Sequence, residues 1–323
     1  MSAHFLEASD GVVVAELVRE GIVESLHHGV VAVVDAQGST LLEQGNADAV
    51  VYPRSTLKPI QSLAILSTGI KLSPLEITLM TSSHCGSREH REAVSHFLTT
   101  HGLTADHLQC PEDWPLGAAE RAEMARNGED PSRVAMNCSG KHAGFLAACV
   151  HQGWDLDTYL DPSHPLQQEI RATITELSGE TPAFSSTDGC GAPLHALSVR
   201  ALATAIARIS GGESPHSSTL VDAVGHNAWA LDGHGRDNTV VIERIGGVAK
   251  IGAEGLVVIG TPEGVAVAVK ILDGSMRATT PVALAALAAV GAISDAIRDE
   301  LTERVSTVVT GGDITLGGLR TSR

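Results

Sequence analysis

The chain has 323 residues with a formal net charge of -16 at pH 7, so it has no general electrostatic attraction to nucleic acid or to an anionic membrane surface. Hydrophobic residues make up 43% and charged residues 19%, an ordinary globular balance in which the 3% of aromatics leave the core to Ala, Val, Leu and Ile. Five cysteines spread over this length do not form a disulfide framework, and MSAHFLEASDGVVVAEL lacks a basic start followed by an apolar run, so the expectation is a reduced, soluble, cytoplasmic protein without a signal peptide.

In chain order, GVVAVVDAQGSTLLEQGN (29 to 46) predicts two strands around an AQG turn. Helical periodicity follows from about Leu57 to Leu66. LEITLMTSSHCGS (75 to 87) predicts a short helix running into a Ser/Gly loop. RVAMNCSGKHAGFLAACVHQGW (133 to 154) predicts a strand-like start, a Cys-Ser-Gly turn and an apolar helix. HPLQQEIRATITELSGE (164 to 180) is an amphipathic helix pattern with Pro165 near its start and Gly179 near its end. TDGCGAPLHAL (187 to 197) reads as a Gly-rich loop opening a helix that continues through LSVRALATAIARIS. VVIERIG, GLVVIGTP and VAVAVKILDG read as strands, and PVALAALAAVGAISDAI (281 to 297) as a helix. Apolar runs such as VALAALAAVGAI are too short to span a bilayer. The prediction is an α+β fold in α/β layers, a single unit over 1–323. Its N- and C-terminal strands share one sheet, and its centre, about 55–210, is more helical.

The cations carry the chemical signal. There are five lysines against seventeen arginines. Lys71 reads as a surface residue, whereas Lys58, Lys141, Lys250 and Lys270 sit in Ser/Gly or apolar contexts where a solvated cation is out of place. Only lysine can release its proton within reach of neutral pH. In YPRSTLKPIQ (52 to 61), Ser55 and Lys58 are three apart and face one side of a helix whose start Pro59 marks. A serine hydroxyl needs a base, and a lysine brought from about 10.4 to near 7 can act as one, at a cost of roughly 4 kcal/mol that burial and a second cation supply. The bland alternative is Ser55 as a helix cap with Lys58 exposed. MTSSHCGSREH (80 to 90) crowds Ser82, Ser83, His84, Cys85 and Ser87 into one loop, which is also compatible with a plain polar turn. NCSGKH (137 to 142) and TDGCG (187 to 191) bring Cys138, Lys141, Asp188 and Cys190. These two cysteines and a lysine are compatible with small buried hydrophobes, a redox pair or a metal site.

Taken together, RSTLKP (54 to 59), SSHCG (82 to 86), NCSGKH, TDGCG and AKIGAEG (249 to 255) resemble the Rhizobium-type L-asparaginases, often labelled asparaginase II or thermolabile. The motifs run across most of the chain; NCSGKH with TDGCG is specific, and S-x-x-K is not. The resemblance implies a serine β-lactamase/glutaminase-like fold, a central antiparallel sheet flanked by helices with a helical subdomain. It implies two Ser-Lys pairs: Ser55 as nucleophile with Lys58 as base, and Ser83 with Lys250. It implies a modulatory zinc ion on Cys138, Lys141 and Cys190. The expected substrate is L-asparagine, with Arg54 for its carboxylate, Asp188 for its ammonium and His84 as a further polar contact. A homodimer is the expected assembly, with no nucleic acid or membrane partner. The chain departs from many relatives after SSHCG, where SREH replaces a nearby carboxylate, and Lys270 has no role. Two alternatives stand beside this reading. One is a glutaminase or β-lactam hydrolase of the same fold, though neither S-D-N nor K-T-G occurs. The other is a zinc- or thiol-dependent binding or redox-sensing protein.

Overall fold

The structure is a computed structural model and describes residues 3–322. The chain opens with strands β1 (Val12–Arg19), β2 (Ile22–Val34), β3 (Thr40–Gln44) and β4 (Val50–Val51). A 3-10 turn, Arg54–Leu57, leads into α1 (Lys58–Ser67), followed by α2 (Pro74–Thr81), α3 (Arg88–Thr100), α4 (Ala118–Arg126), α5 (Ser139–Gln152) and α6 (Pro165–Ser178). Strands β5 (Phe184–Thr187) and β6 (Pro193–Ser198) precede α7 (Val199–Ser210), α8 (Pro215–His226), α9 (Ala228–Leu231) and α10 (Asp237–Ile245). The chain closes with β7 (Val248–Gly252), β8 (Leu256–Gly260), β9 (Ala266–Ile271), α11 (Thr279–Ala289), α12 (Asp295–Val305), β10 (Val308–Gly311) and β11 (Ile314–Thr321).

The large sheet is antiparallel in the order β10-β11-β1-β2-β9-β8-β7, with β3 also on β2. Strands from the two ends of the chain therefore meet side by side, as the sequence predicts. Every residue of β8 and β9 is buried, which requires cover on both faces. Helix α7 supplies one cover: a Cβ on Gly260 would strike Ser210 and Ile206 of that helix. Helix α11 packs on β9, β8 and β2 and supplies the other. A smaller sheet, β4-β6-β5, stands beside it. This is the α+β arrangement of an antiparallel sheet flanked by helices.

The helical layer fixes the loops that matter. Helix α2 starts at a capping box in which the Ser73 side chain accepts the Glu76 N–H and Glu76 accepts the Ser73 N–H, with Pro74 in the first turn. It runs against α5 at very short range. A Cβ on Gly140 would lie 2.3 Å from the Leu79 carbonyl oxygen, and one on Gly144 would lie 2.7 Å from Met80 Cβ. That approach sets the loop after α2 beside the start of α5.

Four sequence expectations differ from the structure. Residues 133–137 form turns rather than a strand, because the following Cys138 already leads into α5. LHALS is strand β6, and its helix begins only at Val199, behind the Ser198 cap. VVIERI lies in α10, with the strand starting later at Val248; a short β-branched run does not distinguish a buried strand from a buried helix. The helix expected over 281–297 breaks after Ala289 and resumes as α12 at Asp295. Among the described residues no helix is long and apolar enough to cross a membrane. All five cysteines are buried and free.

Because Gly140 meets backbone, no rotamer change can make room for a methyl group there. Gly140→Ala should destabilise the protein by about 1–3 kcal/mol. Urea denaturation reads this directly, and a variant as stable as the parent would show that α2 can retreat freely.

Candidate active site

Four of the five lysines are buried, and Lys71 is exposed, the division expected from their contexts. Lys58 begins α1, where the preceding 3-10 turn places it inward, only 1% exposed. Lys250 is fully buried on β7. Both Nζ atoms lie 2.8 Å from Ser83 Oγ. Lys58 also donates to the Ser82 carbonyl and lies 3.2 Å from Cys138 Sγ. Lys250 also donates to the Ile251 carbonyl at 2.8 Å.

This geometry constrains charge. Two Nζ atoms sharing one hydroxyl are no more than about 5.6 Å apart. Two ammonium ions at that separation repel by roughly 3 kcal/mol even at an effective dielectric of 20, before any burial penalty. Burial lowers the Lys58 pKa, and the neighbouring Cys138 only partly offsets it. Burial, reinforced by the Lys58 charge, pushes Lys250 well below the ordinary lysine value. Both effects favour the neutral amine, the form able to accept the Ser83 proton.

The loop carrying Ser83 is clamped from several sides. The Ser83, His84 and Cys85 N–H groups donate to the carbonyls of Leu231, Asn137 and Asp232. Asp232, buried, accepts from Arg236 at 2.6 Å and from the Asn238 side chain, whose oxygen accepts the Ile251 N–H at 3.0 Å. This chain holds β7, and with it Lys250, against the serine loop. Sequence reading passed over Asp232 and Asn238; the available signal was a carboxylate and an amide inside the Gly-rich LDGHGRDN.

Ser55 lies in the 3-10 turn and lines, with Ser83, Met136, Cys138, Cys190 and Gly252, a cavity of about 350 Å³. The structure thus brings all four expected serines and lysines to one place. It differs in one pairing: Lys58 makes its serine hydrogen bond to Ser83, and no Ser55 side-chain hydrogen bond is formed among the described residues. The residue before Ser55, Arg54, has φ +53°, a left-handed conformation that is strained for a side chain with a Cβ. Its Nε donates to Asp188 Oδ1 at 2.8 Å, so the two expected contacts for opposite ends of a substrate face each other on the cavity wall. His84 is placed elsewhere. It is fully buried, gives its Nε2–H to Ser139 Oγ at 2.9 Å and stacks on His90, outside the cavity lining. His90, from the divergent SREH segment, is held neutral, its pKa pushed down to about 4 by burial.

A second cluster adjoins the first. Lys141 Nζ lies 2.9 Å from Cys190 Sγ. Cys138 donates to Asn137 Oδ1 at 3.0 Å; its thiol pKa is pushed up by its neighbour Cys190 and by burial, while that of Cys190, beside Cys138 and Lys141, is pushed down, so negative charge is favoured on Cys190 over Cys138. Burial works against charge on Lys141, but the two sulfurs outweigh it and raise its pKa. Next to Lys141, His142 accepts the Tyr159 hydroxyl at Nδ1, because Tyr159 Oη already receives the Gln109 N–H. Its buried Nε2 has no partner among the described residues. No group of three His, Cys, Asp or Glu side chains converges among the described residues, so a metal here needs Lys141 as its third donor.

A serine hydroxyl set between buried lysines on a cavity wall is the equipment of an acyl-transfer hydrolase. The chain belongs to the L-asparaginase II family, an amidohydrolase family, which it matches over residues 15–321. No curated protein sequence matches it. Among solved structures it is similar to Mglu in its glutamate form, with 14% identity and a TM-score of 0.42. That likeness covers 85% of this chain and 60% of the other, so this chain spans less than two thirds of that protein's length. It is also similar to a β-lactamase from Mycobacterium bovis, with 13% identity, a TM-score of 0.41, and 86% and 95% of the two chains covered.

The Arg54 conformation can be tested apart from its charge. Arg54→Gly and Arg54→Ala both remove the guanidinium, but only glycine adopts φ +53° without strain. The glycine variant should be more stable than the alanine variant by about 1 kcal/mol. Equal urea midpoints would show that the turn relaxes without cost.

Proposed function

We propose that the protein is an L-asparaginase that converts L-asparagine to L-aspartate and ammonia by Ser-Lys nucleophilic catalysis. The observation that carries this is the convergence of Lys58 and Lys250 on Ser83 Oγ at the wall of the cavity that Ser55 shares. Ser55, more accessible than the nearly buried Ser83, attacks the side-chain carbonyl carbon. Its proton passes to Lys58, one helical turn away. Ser83, which can donate one hydrogen bond while accepting another, links Lys58 to Lys250 and lets the pair redistribute that proton. The C–N bond breaks as the leaving nitrogen is protonated, and ammonia departs. Water then hydrolyses the aspartyl ester, its proton following the same lysines, and Ser55 regains its hydrogen. Arg54 and Asp188 are the charged groups available to the substrate's carboxylate and ammonium.

Ser55→Ala should lower kcat/KM for ammonia release by about a thousandfold or more. Asparagine should be turned over faster than glutamine, and mass spectrometry of quenched enzyme should find an acyl adduct on Ser55. Near-normal turnover in Ser55→Ala with loss in Ser83→Ala would transfer the nucleophile role to Ser83.

The pH dependence follows from the lowered lysine pKa values. The active form needs a neutral amine, and lowering the pH protonates it. The rate should therefore fall on the acid side, with an optimum above neutrality. Lys58→Arg should be as damaging as Lys58→Ala, since arginine retains its proton. A variant with arginine that kept most activity would make Lys58 a positioning charge.

Cys138, Lys141 and Cys190 would offer zinc two sulfurs and a nitrogen, the lysine an uncommon ligand that must first release the proton its neighbours favour. Bound there, a zinc ion would supply local positive charge. Metal analysis of gently purified protein should find zinc, and chelation should raise KM more than it lowers kcat. Absence of zinc after incubation with it, with unchanged kinetics in Cys138→Ser, would return both cysteines to a packing role.

A further inference from the structure

Lys270 is the buried lysine that the proposed chemistry leaves without a task. It sits in β9, a strand hydrogen-bonded on both sides and buried along its whole length, with only 8% of its own surface exposed. Register places it on a defined face. Gly252 of β7, Leu256 of β8 and Lys270 lie directly opposite one another, two residues along from the row that holds Lys250. Lys250 and Lys270 thus project from the same face of the sheet. That is the face on which the turn before Ser55 rests, since a Cβ on Gly252 would meet Pro53 and Thr56.

The lysine is poorly satisfied. Its Nζ donates to the Glu254 carbonyl, and no carboxylate forms an ion pair with it among the described residues. Burial lowers its pKa; the Glu254 and Asp273 carboxylates attract it from beyond ion-pair distance and only partly offset that, and Arg54 adds like-charge repulsion. Buried ammonium groups are ordinarily paired, because an uncompensated charge in a dry site costs several kcal/mol. Here the unmet donors border a cavity of about 560 Å³ lined by Phe5, Tyr52, Arg54, Asp188, Glu254 and Lys270. Its volume lies in the range of small-molecule sites, and its wall combines two cations, two carboxylates and two aromatic rings. It is separate from the cavity that holds Ser55 and Ser83, but the two share Arg54, Asp188 and Gly189. The Arg54–Asp188 ion pair is the partition between them.

We propose that this cavity is a second ligand site that takes an α-amino acid, its carboxylate between Lys270 and Arg54 and its ammonium against Glu254. The charges suit a zwitterion: the Glu254 carboxylate lies beside the cations, 3.9 Å from Arg54 Nη1, so an ammonium and a carboxylate carried on one carbon can reach an anion and a cation together, with Phe5 and Tyr52 on the exposed rim. A carboxylate bound here supplies the anion that Lys270 lacks. It also engages the arginine that Asp188 holds in the neighbouring cavity, which couples the two sites through a shared side chain. The site stands apart from the asparaginase reading, because its occupancy is measured without turnover.

The test is isothermal titration of L-aspartate into the parent protein, Lys270→Met and Ser186→Trp. The methionine removes the cation at similar length; the tryptophan, on the exposed strand β5, fills the cavity and leaves Lys270 in place. The parent should bind one equivalent more than either variant. Equal stoichiometry in all three proteins, or no binding to the parent, would overturn the proposal and leave Lys270 a structural donor to the Glu254 carbonyl. Urea denaturation checks the fold of Lys270→Met, which should match or exceed the parent in stability because a buried cation is lost. Should it not fold, the tryptophan variant decides alone, and ammonia release measured in parallel reports on the neighbouring cavity separately.

Discussion

One serine hydroxyl with a lysine amine on either side is the constraint that the rest of the molecule serves. In water the arrangement would not persist, since each amine would be protonated and hydrated and the two would part. It holds here because both lysines are buried and because their stems are fixed at the root, one at the first residue of a helix and the other in a sheet strand. Burial and mutual repulsion act in the same direction, toward the neutral amine. The tendency toward a neutral amine is thus produced by packing, and its position depends on elements far apart in sequence.

Those elements are held to each other by features that tolerate little change. Glycines in α5 let α2 approach until a methyl group would touch backbone, which delivers Ser82 and Ser83 to the Lys58 amine and to Cys138. The buried Asp232 joins the serine loop to Asn238, and Asn238 joins β7. The turn before α1 is kept in place by Arg54, whose strained backbone is offset by its ion pair to Asp188 and by contact of the turn with Gly252. Stability invested in the clamps is what keeps a cluster of mutually repelling groups together.

Much of the site was legible in the sequence because lysine is scarce and its neighbours are wrong for solvent. Lys58, Lys141, Lys250 and Lys270 were each conspicuous by context, and all four are buried. The i, i+3 spacing of Ser55 and Lys58 correctly placed both at a helix start. It could not reveal that the Lys58 amine turns to Ser83, since that bond joins residues 25 apart through tertiary packing. The pairing of chain ends in one sheet was visible from strand patterns at both termini. Local misreadings fell on short buried segments, the β-branched VVIERI and the unbranched LHALS, because there burial and not periodicity decides between helix and strand. His84 was expected as a polar contact of the substrate; tertiary packing instead buries it against Ser139 and His90, which its place in the sequence does not reveal.

The two clusters, serine–lysine and cysteine–lysine, are one electrostatic system. Lys58 touches Ser83 on one side and Cys138 on the other, and Cys190, whose pKa is pushed down beside Cys138, lies 2.9 Å from Lys141. A thiolate beside Lys58 favours its ammonium form, the form that cannot accept a proton from serine. Placing the negative charge on Cys190, one step further away and against Lys141, moves it from the position where it would disable the base. Any further neutralisation of that sulfur, whether by a proton or by a metal cation, weakens the remaining pull toward the ammonium. In the proposed mechanism the cysteine cluster would therefore tune how readily Lys58 takes a proton, without supplying a reacting atom of its own.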